Sequence, residues 1–381
     1  MQNITLRFPS SILFGQDVLA GLGQTVKGFG NRVLLISEGA LHDGDHIGRT
    51  AEILRRSGLE VIVYDELNPG TPSSRVDEIA SLARAGRAQV IVGLGGMRVL
   101  SIARCVSNLS ENTIKLADLF GGRHPKQPFP YVEVPSSFRN HLMMREEAIM
   151  KDTPTGRIKV VRLAPGTVRA VIADTSFSQT LSSKYALAAI LDTLLAAVEG
   201  FFSTNGSMYS DTLLGRAMNE LHGAAMTGIR APTDPRFRVR AAEAGMLVAM
   251  ALAVTGQGMG GALAYGINSR FSLPKSWVSA ILLPHVIDIL VNRDMERAAR
   301  VAAAMGEPVG RIIAAEDAPR ASRAIRKLVS QLDLPPRLRD LDVTLDELGR
   351  CAEEVADLPM LANVPGGASL AELQQLVSAA Y

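Results

Sequence analysis

The feature that most constrains the fold is a change of hydrophobic periodicity near residue 175. Before it, compact apolar runs (RVLLI at 32–36, LEVIVY at 59–64, QVIV at 89–92) alternate with helix-like stretches through Arg56 and over 75–85. Such runs read as strands buried on both faces, and helix-length spacers between them build βαβ units around a parallel sheet. Strand signals return at 131–134, 157–163 and 170–173, after a loop at 121–129 rich in Gly, Pro and basic residues. From residue 182 onward, long Ala- and Leu-rich stretches repeat with helical period, most clearly at 181–202, 210–226, 235–255 and 277–292. The expectation is an α/β unit over 1–175 followed by an all-helical unit over 176–381, a length sufficient for two cores.

Composition narrows the function classes. Apolar residues make up 47%, charged residues 20%, and the net charge is +2 with arginines spread along the chain, so nothing points to nucleic acid or an anionic membrane. No apolar run is read as approaching the roughly 20 residues that span a bilayer. The N-terminus MQNITLRFPSSILFG lacks the basic-then-apolar pattern of a signal peptide. Cys105 and Cys351 lie far apart without a CxxC pattern, as expected of reduced thiols in a cytoplasmic protein.

The strand at 89–92 runs into a glycine-rich turn, VGLGGMRVLSIAR at 92–104. A strand, a glycine turn and a helix start together form a phosphate cradle, because bare backbone N–H groups approach the pyrophosphate and the helix dipole adds positive charge. Gly95 and Gly96 fit that role. Met97 brings a side chain where one would crowd the phosphates, and Arg98 offers a guanidinium that binds phosphate well. The turn therefore reads either as a cofactor seat or as a tight strand-to-helix connection.

Several segments together resemble the iron-containing (group III) alcohol dehydrogenases: FPSSILFG near the start, PGTPSS at 69–74, the GLGG turn, LDTLLAAVEG at 191–200 and the stretch from Gly245 to His285, which ends in ILLPH. The resemblance implies a Rossmann-like parallel-sheet domain followed by a helical domain, the arrangement shared with dehydroquinate synthase-like proteins. It also implies four metal-ligand positions, here Asp192, Ala196, Gly261 and Lys275, with Tyr265 at the position of a substrate-side histidine. Only Asp192 is a ligand type. A metal that polarises an alcohol or carbonyl oxygen needs three or four N or O donors and an open position, and an ammonium repels the ion. Iron or zinc is thus not expected. Asp192 without an ion needs another partner, and a Lys275–Asp192 salt bridge in place of the metal is the expected one.

The same resemblance bears on the cofactor. The family pattern GGGSxxD stands here with Met97, Arg98 and Ser101 at its third glycine, serine and aspartate. The family's TTAGTGSE loop reads SSFRNHLMM at 136–144, keeping the small hydroxyl residues as Ser136 and Ser137 and losing both glycines. Gly95, Gly96, Met97, Arg98, Ser136 and Ser137 are the remnant cofactor site; NAD(P) is weighed against no cofactor.

Other candidates are weaker. His42 and His46 have i, i+4 spacing, but LHDGDHIG reads as a loop. His285 is placed at the start of the ILLPH helix beside Pro284. His141, in the altered loop, is the histidine available to the cleft as a base, without an evident partner. Glu199 reads as a helix residue making local hydrogen bonds. There is no GxSxG elbow and no GxxxxGK[ST] loop. Three functions remain open. One is a degenerate, non-catalytic or partner-dependent subunit of a biosynthetic complex, peptide-modifying ones included. Another is a metal-independent NAD(P)-dependent alcohol or carbonyl oxidoreductase using Tyr265, Lys275 and His141. The third is a different reaction with Lys275 as base or Schiff-base amine. Homo-oligomer formation, a protein partner in an enzyme complex, or both are expected.

Overall fold

The computed structural model describes residues 4–41, 44–68, 73–310 and 315–381. His42 and residues 69–72 of the PGTPSS segment lie outside the described residues. The chain forms two compact units: Arg7–Ser178, and Gln179–Tyr381 together with the N-terminal residues through Leu6.

The first unit runs β1 (Ser11–Gly15), α1 (Leu22–Lys27), β2 (Arg32–Glu38), α2 (His46–Arg56), β3 (Glu60–Leu67), α3 (Arg75–Ala85), β4 (Val90–Gly95), α4 (Met97–Ser107), α5 (Leu116–Phe120), β5 (Tyr131–Pro135), β6 (Glu147–Lys151), β7 (Ile158–Arg162), β8 (Val168–Asp174) and α6 (Ser176–Gln179). Six strands form one parallel sheet in the order β1-β8-β5-β4-β2-β3, and β6 and β7 pair as a separate antiparallel hairpin. The apolar runs become central strands because helices cover them on both faces, which favours unbroken Val, Ile and Leu over alternation. Leu35, Val92, Val132 and Ile172 stack with Leu22, Leu54 and Phe177 in one such core.

The helical unit contains α7 (Ser183–Phe202), α8 (Met208–Arg230), α9 (Arg236–Thr255), α10 (Met259–Phe271), α11 (Lys275–Arg293), α12 (Met295–Ala304), α13 (Pro319–Val329), α14 (Leu345–Val355) and α15 (Leu370–Ala380). Helix α7 is the centre of this unit: sixteen of its twenty residues are buried, among them Asp192 and Glu199. By length and composition it is apolar enough to cross a bilayer, contrary to the expectation from sequence, but 89% of that window is buried inside the structure. Its hydrophobic surface is thus consumed by packing against the other helices. Two further expectations change. His46 is not in a loop but opens α2, its ring tilted against Phe177 at 5.0 Å. The ILLPH segment does not start a helix; Pro284 sits inside α11, nine residues after its first.

Candidate functional site

The singled-out residues of the helical unit converge on the face of α7 that carries Asp192. The ammonium of Lys275, at the first position of α11, donates to Asp192 Oδ1 at 2.5 Å, and Ser279 Oγ one turn on donates to the same oxygen at 2.6 Å. The pair is sealed, with side-chain exposures of 4% for Lys275 and 0% for Asp192. Lys275 Nζ also lies 4.6 Å from the centre of the Tyr265 ring, a cation–π contact strengthened by desolvation. The pairing expected from the sequence is present.

The other two positions offer no donor. Ala196 is a buried methyl. Gly261 is bare for a packing reason: a β-carbon there would come within 2.8 Å of Gln257 Nε2 and 3.1 Å of Gln257 Cβ. The Gln257 amide occupies that space and accepts the Tyr265 hydroxyl at 3.1 Å. A divalent cation does not fit this arrangement. One carboxylate, already charge-neutralised by an ammonium at hydrogen-bond distance, cannot bind it, and Ala196 and Gly261 add no ligand type. Among the described residues, no group of three or more His, Cys, Asp or Glu is placed to hold a metal ion.

Glu199, two turns along α7, does something the sequence did not suggest. Its bonds are not local: Oε1 accepts from the Gly260 N–H at 2.6 Å, and Oε2 accepts from Gly258 at 3.1 Å and Gly261 at 3.0 Å. The carboxylate therefore caps α10, satisfying backbone donors that a helix start leaves unpaired. Burial pushes its carboxyl above the usual range, offset in part by those three amides and by Lys275. The sign follows. With a raised folded-state value the native protein binds more protons than the unfolded chain, so stability falls as pH rises from the ordinary glutamate range toward the raised value. We expect this fall to be missing in Glu199→Gln, whose neutral amide has no such titration. Urea midpoints measured across that window check it; an unchanged slope would contradict the assignment.

In the first unit, Gly95 has φ of +153°, which only glycine adopts without strain, and Gly96 caps α4. The end of that helix is already supplied with an anion. Glu38, last residue of β2, accepts the Gly96 N–H at 3.2 Å through Oε1, while its Oε2 accepts from Arg98 at 3.3 Å. Arg98 also donates to the backbone oxygen of Asn68. The guanidinium read as a phosphate ligand is thus turned to an internal carboxylate. A pyrophosphate arriving at the α4 terminus would compete with Glu38, itself partly exposed, for the Gly96 N–H and the Arg98 guanidinium.

Ser136 and Ser137 follow β5, where the Ser136 N–H donates to Gly95 O at 3.0 Å. His141 is buried in the first unit and belongs to a loop held by a group that the sequence did not flag. Arg104 of α4 is fully buried, its Nε donating to Glu133 Oε2 at 2.7 Å, and its Nη1 to the carbonyls of Leu142, Arg145 and Glu147 at 2.9, 2.8 and 2.7 Å. Asn140 Nδ2 ties the loop to Glu133 Oε1 at 2.5 Å. Burial works against the guanidinium charge, and Glu133, Tyr131 and Glu146 together more than offset it. A single charged residue in a helix carries no periodic signature; only its three-dimensional partners disclose its role.

A parallel-sheet unit with a glycine turn at one strand end, and a helical unit built around a carboxylate-bearing central helix, define a dehydrogenase-like architecture. Residues 9–175 match the iron-containing alcohol dehydrogenase family, and residues 186–381 match the C-terminal domain of the Fe-containing alcohol dehydrogenase family. The chain belongs to the iron-containing alcohol dehydrogenase family. Among its relatives, 1,3-propanediol dehydrogenase of Klebsiella pneumoniae is 23% identical over 362 residues, covering 93% of this chain and 90% of the relative. Long-chain-alcohol dehydrogenase 1 of Geobacillus thermodenitrificans is 23% identical, covering 98% and 96%. The crystal structure of a 1,3-propanediol oxidoreductase superposes with a TM-score of 0.92 at 21% identity over 100% of both chains. A sulfoacetaldehyde reductase from Bifidobacterium kashiwanohense, in complex with NAD+, superposes with a TM-score of 0.83 at 16% identity, covering 100% and 99%.

Proposed function

We propose that this protein is a member of the iron-containing alcohol dehydrogenase family that works without the family's metal and without a bound dinucleotide, as a non-catalytic, ligand-holding subunit beside a protein partner in a biosynthetic enzyme assembly. The observation that carries the reading is the buried Lys275 ammonium 2.5 Å from Asp192, a fixed positive charge where the resemblance puts a metal ion. An ammonium supplies the charge that holds α7 and α11 together, but it has no empty coordination position with which to polarise a substrate oxygen. The Glu38 carboxylate on the α4 terminus adds a second argument, against pyrophosphate binding.

The alternative is a metal-independent NAD(P)-dependent oxidoreductase. It draws on Tyr265 beside Lys275, since a phenol next to an ammonium can donate a proton to a developing alkoxide.

Titrating NADH and NADPH against the pure protein by fluorescence separates the two, with wild type beside Glu38→Gln. Wild type is expected to bind neither nucleotide in the micromolar range. Glu38→Gln, which removes the internal anion, is expected to bind inorganic pyrophosphate about tenfold more tightly than wild type, a change of ~1.4 kcal/mol. Micromolar binding of either nucleotide by wild type would favour the oxidoreductase. Equal pyrophosphate affinity in both proteins would remove Glu38 from the argument.

A further inference from the structure

The turn that joins α7 to α8 holds the one asparagine of this chain that precedes a glycine, Asn205-Gly206. Such a pair is chemically unstable. No side chain shields the glycine nitrogen from the asparagine carboxamide, and glycine gives the backbone freedom to close a five-membered ring. What the fold does with the two reacting groups decides how fast they meet.

Asn205 is exposed to water, and the Gly206 N–H donates to Ser203 O at 2.9 Å, closing a turn just before Ser207 caps α8. The Asn205 carboxamide is held by one bond, from its Nδ2 to Asn363 Oδ1 at 3.0 Å. Asn363 presents its oxygen for a reason. Its own Nδ2 donates to Gln257 O at 2.7 Å, so the acceptor end is the one left for Asn205. The bond therefore fastens the very nitrogen that ring closure would expel. It also depends on that nitrogen, because a carboxylate has no hydrogen to donate.

We propose that Asn205 is a site of spontaneous deamidation, latched by Asn363. The Gly206 nitrogen yields its proton to water or hydroxide and bonds to Asn205 Cγ. The Cγ–Nδ2 bond breaks, and the nitrogen leaves as ammonia. Water then opens the succinimide, at the Cγ carbonyl to give aspartate or at the Asn205 main-chain carbonyl to give isoaspartate. Either product adds a negative charge and removes the donor that Asn363 Oδ1 accepts from, so the turn loses that tether. Neither the Lys275–Asp192 pair nor the α4 terminus takes part, so the inference stands apart from the function proposed above.

The test incubates the pure protein at mildly alkaline pH, native and in urea, and follows its peptides by mass spectrometry with an isoaspartate assay. In the native protein Asn205 is expected to convert before any other asparagine, to a mixture of aspartate and isoaspartate. Gly206→Ala should slow the conversion about tenfold, since a methyl group shields the nitrogen and restricts the backbone. Asn363→Ala should speed native conversion about fivefold, the worth of one hydrogen bond, and leave the rate in urea unchanged. Wild type should likewise convert faster in urea than when native, which reads the latch without a variant. Converted protein should exchange the Thr204 and Gly206 amide hydrogens faster than fresh protein. Earlier conversion of another asparagine in the native protein, or aspartate formed without isoaspartate, would overturn the site. Equal wild-type rates in urea and buffer, or an unchanged native rate in Asn363→Ala, would overturn the latch.

Discussion

Replacing Lys275 with methionine is expected to destabilise the helical unit by about 3–5 kcal/mol, the usual cost of stripping one partner from a buried ion pair. At roughly 2–4 °C per kcal/mol for a unit of this size, the melting temperature should drop by about 10 °C. The reason is specific to this site. Asp192 is wholly buried, and removing the ammonium takes away its charged partner while the Ser279 hydroxyl bond stays. Methionine keeps most of the lysine stem, so packing loss contributes little and the measurement reads electrostatics. Asp192→Asn should cost less, because the ammonium left behind keeps the face of the Tyr265 ring and the Asn oxygen keeps the Ser279 hydroxyl. The double variant Asp192→Asn/Lys275→Met should be more stable than the sum of the single losses predicts, since the uncompensated charge has disappeared with its partner. Simple additivity of the three melts would mean that the two groups are neighbours without coupling. Added Zn2+ or Fe2+ should not raise the melting temperature of Lys275→Met, because Ala196 and Gly261 supply no donors to accompany Asp192.

How far the sequence discloses this arrangement depends on the range of the interaction. The central strands are legible because a parallel sheet covered on both faces demands unbroken apolar runs, and VIV at 90–92 reads directly as one, although β4 continues to Gly95 through residues that read as the glycine turn. The long helices α7 and α9 are equally plain. Helix α10 is not, because MGGALAYGINSRF begins with glycines that favour a turn. It forms because Glu199, some sixty residues earlier, caps its first amides, and no local window contains that fact. The edge strand β1 and the hairpin strand β6 are short, and their residues carry no run longer than their neighbours'. At the site, residue types at corresponding positions lead from Asp192 to Lys275, since a buried acid left without its cation needs a base. Glu38 escapes, because it is an ordinary polar residue whose role lies in the amide of Gly96, 58 residues away.

The second large effect is expected at Arg104, which the sequence presents as one arginine in a helix. Arg104→Met should cost about 3–5 kcal/mol through the stranded Glu133 carboxylate alone. The loss should extend further, because the guanidinium also serves the carbonyls of Leu142, Arg145 and Glu147, groups that then face the interior without donors. Arg104→Lys separates charge from geometry. An ammonium can keep Glu133 paired, but it cannot reproduce the planar fork that addresses a carboxylate through Nε and several carbonyls through the Nη nitrogens. Its stability should lie between those of wild type and Arg104→Met, with hydrogen exchange rising in residues 138–147 while the central strands stay protected. If Arg104→Lys matched wild type in both melting and exchange, the guanidinium would be acting as a point charge and the loop would owe its shape to something else. If instead the methionine variant lost less than ~1 kcal/mol, the buried pair with Glu133 would not be supporting the fold at all.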